Sequence, residues 1–212
     1  MYHRDDVKKI WLNSACNFMN EDQAKNAWLL IQSKYDSPER SYHNLDHVAL
    51  GLWFLEKVAD RCEEIHLVRV AYILHEVAHD AFAGDSEKCC VEFVKRNFGK
   101  VFSDSVLARI CQFILATDPA KNETNSLAEQ LMHDLEFVVY ALPYEQLLRE
   151  EQKYREEYFF KIKTCYYLRR LEKLEKFLKQ PLIFRCPYLA MDYEKIARKN
   201  IGRLVEYLTG NM

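Results

Sequence analysis

The sequence predicts an all-α fold. Only five glycines and five prolines punctuate 212 residues, and sheet-rich folds need more turn chemistry than that. Apolar residues recur at helical spacing along most of the chain. No segment reads convincingly as a strand.

The elements follow in order. Val7, Ile10, Trp11 and Leu12 mark a first helix, and Ala27, Trp28, Leu30 and Ile31 a second. Ser37-Pro38-Glu39-Arg40-Ser41 breaks the chain, and a third helix is expected from about His43 towards Val58. Leu67, Val70, Ala71 and Leu74 carry a fourth, ending near Asp80 to Asp85 at a Gly84 turn. Ser86 is the expected cap of a fifth through about Phe98, with Gly99 as its stop. Further helices fit Ser105 to Ala116 and Ser126 to Ala141. Tyr144 to Gln180 is too long for one uncapped helix, so a break is expected near Lys163-Thr164. The last helix, roughly Met191 to Leu208, follows Pro187. With no repeats or linkers, one α-helical domain over 1–212 is the simplest organisation.

Composition narrows the function classes. Apolar residues make up 49% and charged residues 29%, an ordinary soluble balance. A formal charge of -2 offers no basic excess for nucleic acid. Seven cysteines, an odd number without CxxC, and a polar opening Tyr2-His3-Arg4-Asp5-Asp6 suggest a reducing, cytoplasmic setting. No apolar run approaches the roughly eighteen residues of a membrane span.

The polar residues that stand out are histidines. His43 and His47 are four apart, as are His75 and His79. On a helix each such pair shares a face, one turn apart, so both imidazoles can reach one site. Asn44 and Asp46 accompany the first pair, Glu76 and Asp80 the second, and His133-Asp134 forms a third cluster. Imidazole plus carboxylate without thiolate suits Mn, Fe, Co, Ni, Zn or Mg, as one ion or two. His75-Glu76-Val77-Ala78-His79 also spells the zinc-peptidase HExxH. That reading needs a third ligand, for which Glu87, Glu92 or Glu123 has no supporting motif. It also leaves His43, His47 and Asp134 without a role.

Several blocks together resemble the HD-domain superfamily of metal-dependent phosphohydrolases, whose pattern is H…HD…D on separate helices. The blocks are Tyr35-Asp36-Ser37-Pro38-Glu39-Arg40-Ser41-Tyr42-His43-Asn44-Leu45-Asp46-His47, Leu74-His75-Glu76-Val77-Ala78-His79-Asp80, Ser86-Glu87, Asp134-Leu135, Arg155-Glu156-Glu157-Tyr158 and Ile183-Phe184-Arg185. They are similar in order to a group of small predicted HD phosphohydrolases, and cover roughly Trp28 to Leu208. The first block is distantly similar to the YHNxxH of cyclic-nucleotide phosphodiesterases.

The resemblance implies an HD-like helical bundle with metal-site helices at about 35–141 and a C-terminal helical part at 142–212. It implies hydrolysis of a phosphoester of a nucleotide-like small molecule by metal-activated water. By it, His47, His75, Glu76 and Asp134 are the metal ligands, and His43 and Glu76 belong to the catalytic group, with His43 protonating the leaving oxygen. His79, Asp80 and Glu87 are expected at a second metal or as groups orienting the ligands. Arg40 and Asn44 are expected at the substrate, and Arg155, Tyr158 and Arg185 shape the pocket. The chain departs from the pattern at Glu76, where the superfamily has Asp. One extra methylene leaves two outcomes open, an active hydrolase or a degenerate domain that binds a nucleotide or a protein partner without turnover. Neither nucleic acid nor membrane is an expected partner, and a homodimer is compatible with the sequence.

Overall fold

A computed structural model describes residues 2–81, 85–118 and 124–211. Among these residues there are ten α-helices and two short 3-10 segments, and no strand. In order they are α1 (Arg4–Ala15), α2 (Glu21–Tyr35), α3 (Leu45–Leu55), α4 (Ile65–Leu74), α5 (Ser86–Phe98), α6 (Asp104–Ala116), α7 (Leu127–Leu135), α8 (Tyr144–Glu157), α9 (Lys163–Lys179) and α10 (Pro187–Gly210). The 3-10 segments are Ala59–Arg61 and Val138–Ala141. None of these helices is long and apolar enough to cross a membrane.

Helix α4 is the hub. Its sequence is apolar nearly all round, and Val68, Val70, Ala71, Tyr72, Ile73 and Leu74 are all buried. A helix with no polar face has to be enclosed, and α4 packs against α1, α3, α6 and α7. Each large apolar side chain so buried contributes about 1.5–3 kcal/mol. Two polar ties position the outer elements: Trp11 Nε1 donates to the Ala24 carbonyl at 2.9 Å, joining α1 to α2, and Asn200 Nδ2 donates to the Tyr140 and Leu142 carbonyls, both at 2.8 Å, joining α10 to the second 3-10 segment.

Element boundaries differ from expectation where the histidines lie. Helix α3 starts at Leu45, because the Asn44 side chain accepts from Asp46 N and caps it. His43 therefore precedes the helix. Helix α4 ends at Leu74, and bonds of the tighter i to i−3 type follow: Val77 N to Leu74 O at 3.2 Å and His79 N to Glu76 O at 3.0 Å. The Arg40 guanidinium enforces this stop. It donates to the carbonyls of Glu76 (2.7 Å), Val77 (3.3 Å) and His79 (2.8 Å), groups that a continuing helix would have bonded to later N–H groups.

The expected helix over 126–141 is split into α7 and the second 3-10 segment. The expected break in 144–180 occurs at 158–162, so α9 starts at Lys163. Helix α10 begins with Pro187 at its first turn, a position where the missing N–H is harmless. Asp85, at φ 59°, takes the position before α5 that Ser86 was expected to hold. The expected Gly84 turn lies outside the described residues.

Candidate metal centre

The four-residue spacing of each histidine pair does not bring the pair to one point, because His43 lies before α3 and 75–79 is a turn rather than a helix. The fold instead exchanges partners between the pairs. His47, His75 and Glu136 form one set, and His43, His79 and Glu157 form another; within each set one ligand atom per residue lies within 4.8 Å of the others. Two atoms each about 2.1 Å from a common ion sit roughly 3–4 Å apart, so a set spread over as much as 4.8 Å would draw inward to hold one.

The sets differ in what already occupies them. In the first, neither nitrogen of buried His47 has a hydrogen-bond partner. His75 Nδ1 is bonded to the Tyr72 carbonyl, which fixes the proton there and leaves Nε2 as a lone-pair donor. That Nε2 lies 3.0 Å from Glu136 Oε1, yet neither atom has a partner in hydrogen-bond geometry. Buried polar atoms left in this state are costly, and an ion between them would satisfy one His47 nitrogen, His75 Nε2 and Glu136 Oε1. The donor set thus fits a divalent cation. Burial pushes the His47 imidazole down to about 4, with Glu136 opposing, so it is a neutral donor at neutral pH. For His75, burial also disfavours the charge, but the Glu136 and Glu76 carboxylates outweigh it and raise the pKa.

The second set is wired in part. Glu157 Oε2 accepts the backbone N–H groups of Tyr42 (2.8 Å) and His43 (2.9 Å). Its Oε1 pairs with His43 Nδ1 and lies 3.1 Å from His79 Nε2. Burial would raise the Glu157 carboxyl, but the two imidazoles and the His43 N–H hold it well below the usual carboxylate range. His79 is pushed up to about 9: burial works against its charge and the Glu76 and Glu157 carboxylates prevail. The His43 and His79 rings lie 3.9 Å apart, centroid to centroid. The hydrogen-bonded part of this set is the His43–Glu157 pair, whereas His79 Nε2, like His75 Nε2 in the first set, has no partner in hydrogen-bond geometry.

Between the sets stands Glu76, buried, with Oε2 2.9 Å from His79 Nδ1. Burial opposes its ionisation, but His43 and His79 lower its pKa well below the ordinary value. It belongs to neither three-residue set. A cavity of about 180 Å³ opens beside it, lined by His43, His47, Glu76, His79, Glu87 and Glu136 among others.

The remaining expected residues fall elsewhere. Asp134 is fully buried, but its oxygens accept the N–H groups of Arg185 (2.8 Å) and Cys186 (2.6 Å) and contact His133 Nδ1 at 2.9 Å, so it anchors the start of α10. Glu136, two residues on, stands where Asp134 was expected. Arg40 is committed to carbonyls, including that of His43 at 3.3 Å, and Asn44 donates to the Arg40 (3.1 Å) and Ser41 (3.0 Å) carbonyls while capping α3. The amide and the guanidinium thus both have backbone partners. Asp80 lines an outer groove with Arg40 and His79. Glu87 lines the cavity, its pKa raised by burial, and the Ser86 hydroxyl contacts His79 Nδ1 at 3.2 Å. Tyr158 lines the cavity as expected, whereas Arg155 ties the chain between α8 and α9 through the Tyr158 (2.7 Å) and Lys161 (3.2 Å) carbonyls. Glu123, a third-ligand candidate of the peptidase reading, lies outside the described residues.

Two members of the candidate metal sets escaped the sequence reading, Glu136 and Glu157. Glu157 had a signal. Leu147, Glu151 and Glu157 are the buried residues of an otherwise polar α8, and a carboxylate in core phase on an amphipathic helix needs a partner. Comparison of the chain with protein-family models, with curated proteins and with solved structures found no match.

Proposed function

We propose that the chain is a metal-dependent phosphohydrolase of the HD type, acting on a phosphoester of a nucleotide-like small molecule. The observation that carries this reading is a pair of buried imidazoles, His47 and His75, whose free nitrogens face Glu136 next to a carboxylate-held His43. A divalent ion held by His47, His75 and Glu136 would supply Lewis acidity to the phosphoester and acidify water nearby. Stacking on Tyr72, at 4.3 Å and 12° between ring planes, fixes the His75 ring. Glu157 holds the proton on His43 Nδ1 and so orients the ring; a second proton, carried on Nε2, is the one the imidazolium would give to the departing oxygen. His79, which Glu157 and Glu76 keep protonated, adds positive charge at the cavity wall where phosphate charge accumulates.

One observation favours the second reading, a domain that binds without turnover. Glu76, at the position of the HD aspartate, faces His79 rather than the unpartnered nitrogens. The peptidase reading gains no support, since His75 and His79 belong to different sets. Elemental analysis of the protein as isolated, paired with a phosphoester substrate panel, tests the proposal. One equivalent or more of a transition metal with turnover agrees with it, and absence of bound metal refutes it. Metal without turnover, and turnover gained on Glu76→Asp, would favour the degenerate domain.

A further inference from the structure

The central cavity continues into a smaller lobe of about 100 Å³ at the α8–α9 junction, and the two share Tyr154, Tyr158, Arg170 and Lys173. The lobe adds Lys161, Tyr166 and Arg169, so every charged residue lining it is a cation. Arg170 is neutralised, with Nε and Nη2 at 3.0 and 2.6 Å from Glu151 Oε2. Lys161, Arg169 and Lys173 make no ion pair among the described residues. The Lys161 ammonium instead lies 4.3 Å from the Tyr158 ring centroid. Lys173 runs along the wall that joins the lobe to the metal set. It is crowded by protein yet keeps an exposed surface, as a side chain beside an open cavity does. Burial and an adjacent guanidinium, Arg169 for Lys161 and Arg170 for Lys173, lower the pKa of both lysines. Carboxylates of the central cavity, Glu136, Glu87 and Glu76, pull Lys173 the other way. Cations gathered without counter-charge repel one another, and a bound anion removes that penalty.

We infer that the lobe binds a second anionic group, phosphate or carboxylate, of the same phosphoester whose scissile phosphate sits beside His47, His75 and Glu136. The inference rests on the phosphohydrolase reading and narrows its substrate class to phosphoesters that carry another anion. The tyrosine faces of Tyr154 and Tyr158, 4.8 Å apart by centroid, form the wall along which the connecting part of the molecule lies.

The test uses the full metal-loaded chain and three substrates: phenyl phosphate, 4-carboxyphenyl phosphate and fructose 1,6-bisphosphate. The expected result is a KM at least tenfold lower for one or both of the substrates with a second anion, and which one responds tells carboxylate from phosphate. In the Lys161→Ala/Arg169→Ala variant that advantage should shrink to within about twofold, with the change confined to KM rather than kcat. A wild-type protein with no KM preference, or a variant that keeps the preference, overturns the inference while leaving the phosphohydrolase reading intact. If no substrate turns over, that reading fails separately, and titration calorimetry with fructose 1,6-bisphosphate decides the lobe. Binding weakened at least tenfold by Arg169→Glu supports it; no binding, or equal binding by both proteins, overturns it.

Discussion

Gly51→Ala separates helix propensity from packing because the two predict opposite signs. Gly51 lies inside α3, where alanine is favoured over glycine by up to about 1 kcal/mol. A Cβ built there meets Tyr72 at 2.1 Å from the hydroxyl oxygen and 2.3 Å from Cε1 and Cζ, against an ordinary carbon contact of about 3.5–4.0 Å. The ring would have to retreat by more than about 1 Å. It cannot do so freely, since it is fully buried and stacked on His75 at 4.3 Å. Overpacking of this kind costs about 1–3 kcal/mol or more, which exceeds the propensity gain. We expect a net loss of about 2 kcal/mol, and thus a fall in Tm of about 4–8 °C for a chain of this size. Weakened metal retention should accompany it, because Tyr72 carries His75 with it. Tyr72→Phe should not rescue the variant, since two of the close contacts are to ring carbons. Tyr72→Leu should relieve it, so that the double variant is less destabilised than the two single variants added together. Thermal melts of the four metal-free proteins decide the matter: a Tm that rises on Gly51→Ala would refute the packing argument.

Alanine at His47 or at Glu136 should abolish stoichiometric metal retention, whereas Asp134→Asn should retain metal and lower the Tm, read by elemental analysis and melting on the same samples. Arg40→Ala should destabilise by about 2–4 kcal/mol in denaturant titration, since it removes charged donors from several carbonyls, and Arg40→Lys should recover little because an ammonium cannot span them. The His79 imidazolium has its pKa raised from 6.5 to about 9. Its contribution to the metal-free protein is therefore fully present below about pH 6.5 and lost as pH climbs through about 9, at most about 3 kcal/mol in all. Chemical denaturation across that window should show the decline, and Glu157→Gln should flatten it.

The helical class and most helix positions were legible because they rest on periodicity and on scarce breakers, which are local signals. The chemistry around His43, His47, His75 and His79 was legible as composition, but the way these residues combine was not. Spacing of four places two histidines together only if the helix continues through both. Asn44 starts α3 one residue after His43, and Arg40 stops α4 before Glu76, and both events depend on side-chain bonds to the backbone. Asp134 was the expected ligand and Glu136 escaped for a similar reason. Helix α7 ends between them, at Leu135, so no helical register extends to Glu136. Glu157 joins the site from 114 positions beyond His43, a closure that only tertiary packing can specify.

The Asp134 anchor has a consequence for how the molecule comes together. The two residues that lead into α10, Arg185 and Cys186, are tethered just two positions from Glu136. The final stretch of the chain therefore helps to set where the carboxylate of a candidate metal set sits, although it supplies no member of that set itself. A ribosome that has released only the segment up to Glu136 has made every member of the His47–His75–Glu136 set but not the clasp that aims the last of them. An ion held by that set would therefore favour docking of the C-terminal helix, and the docked helix would favour the ion in return.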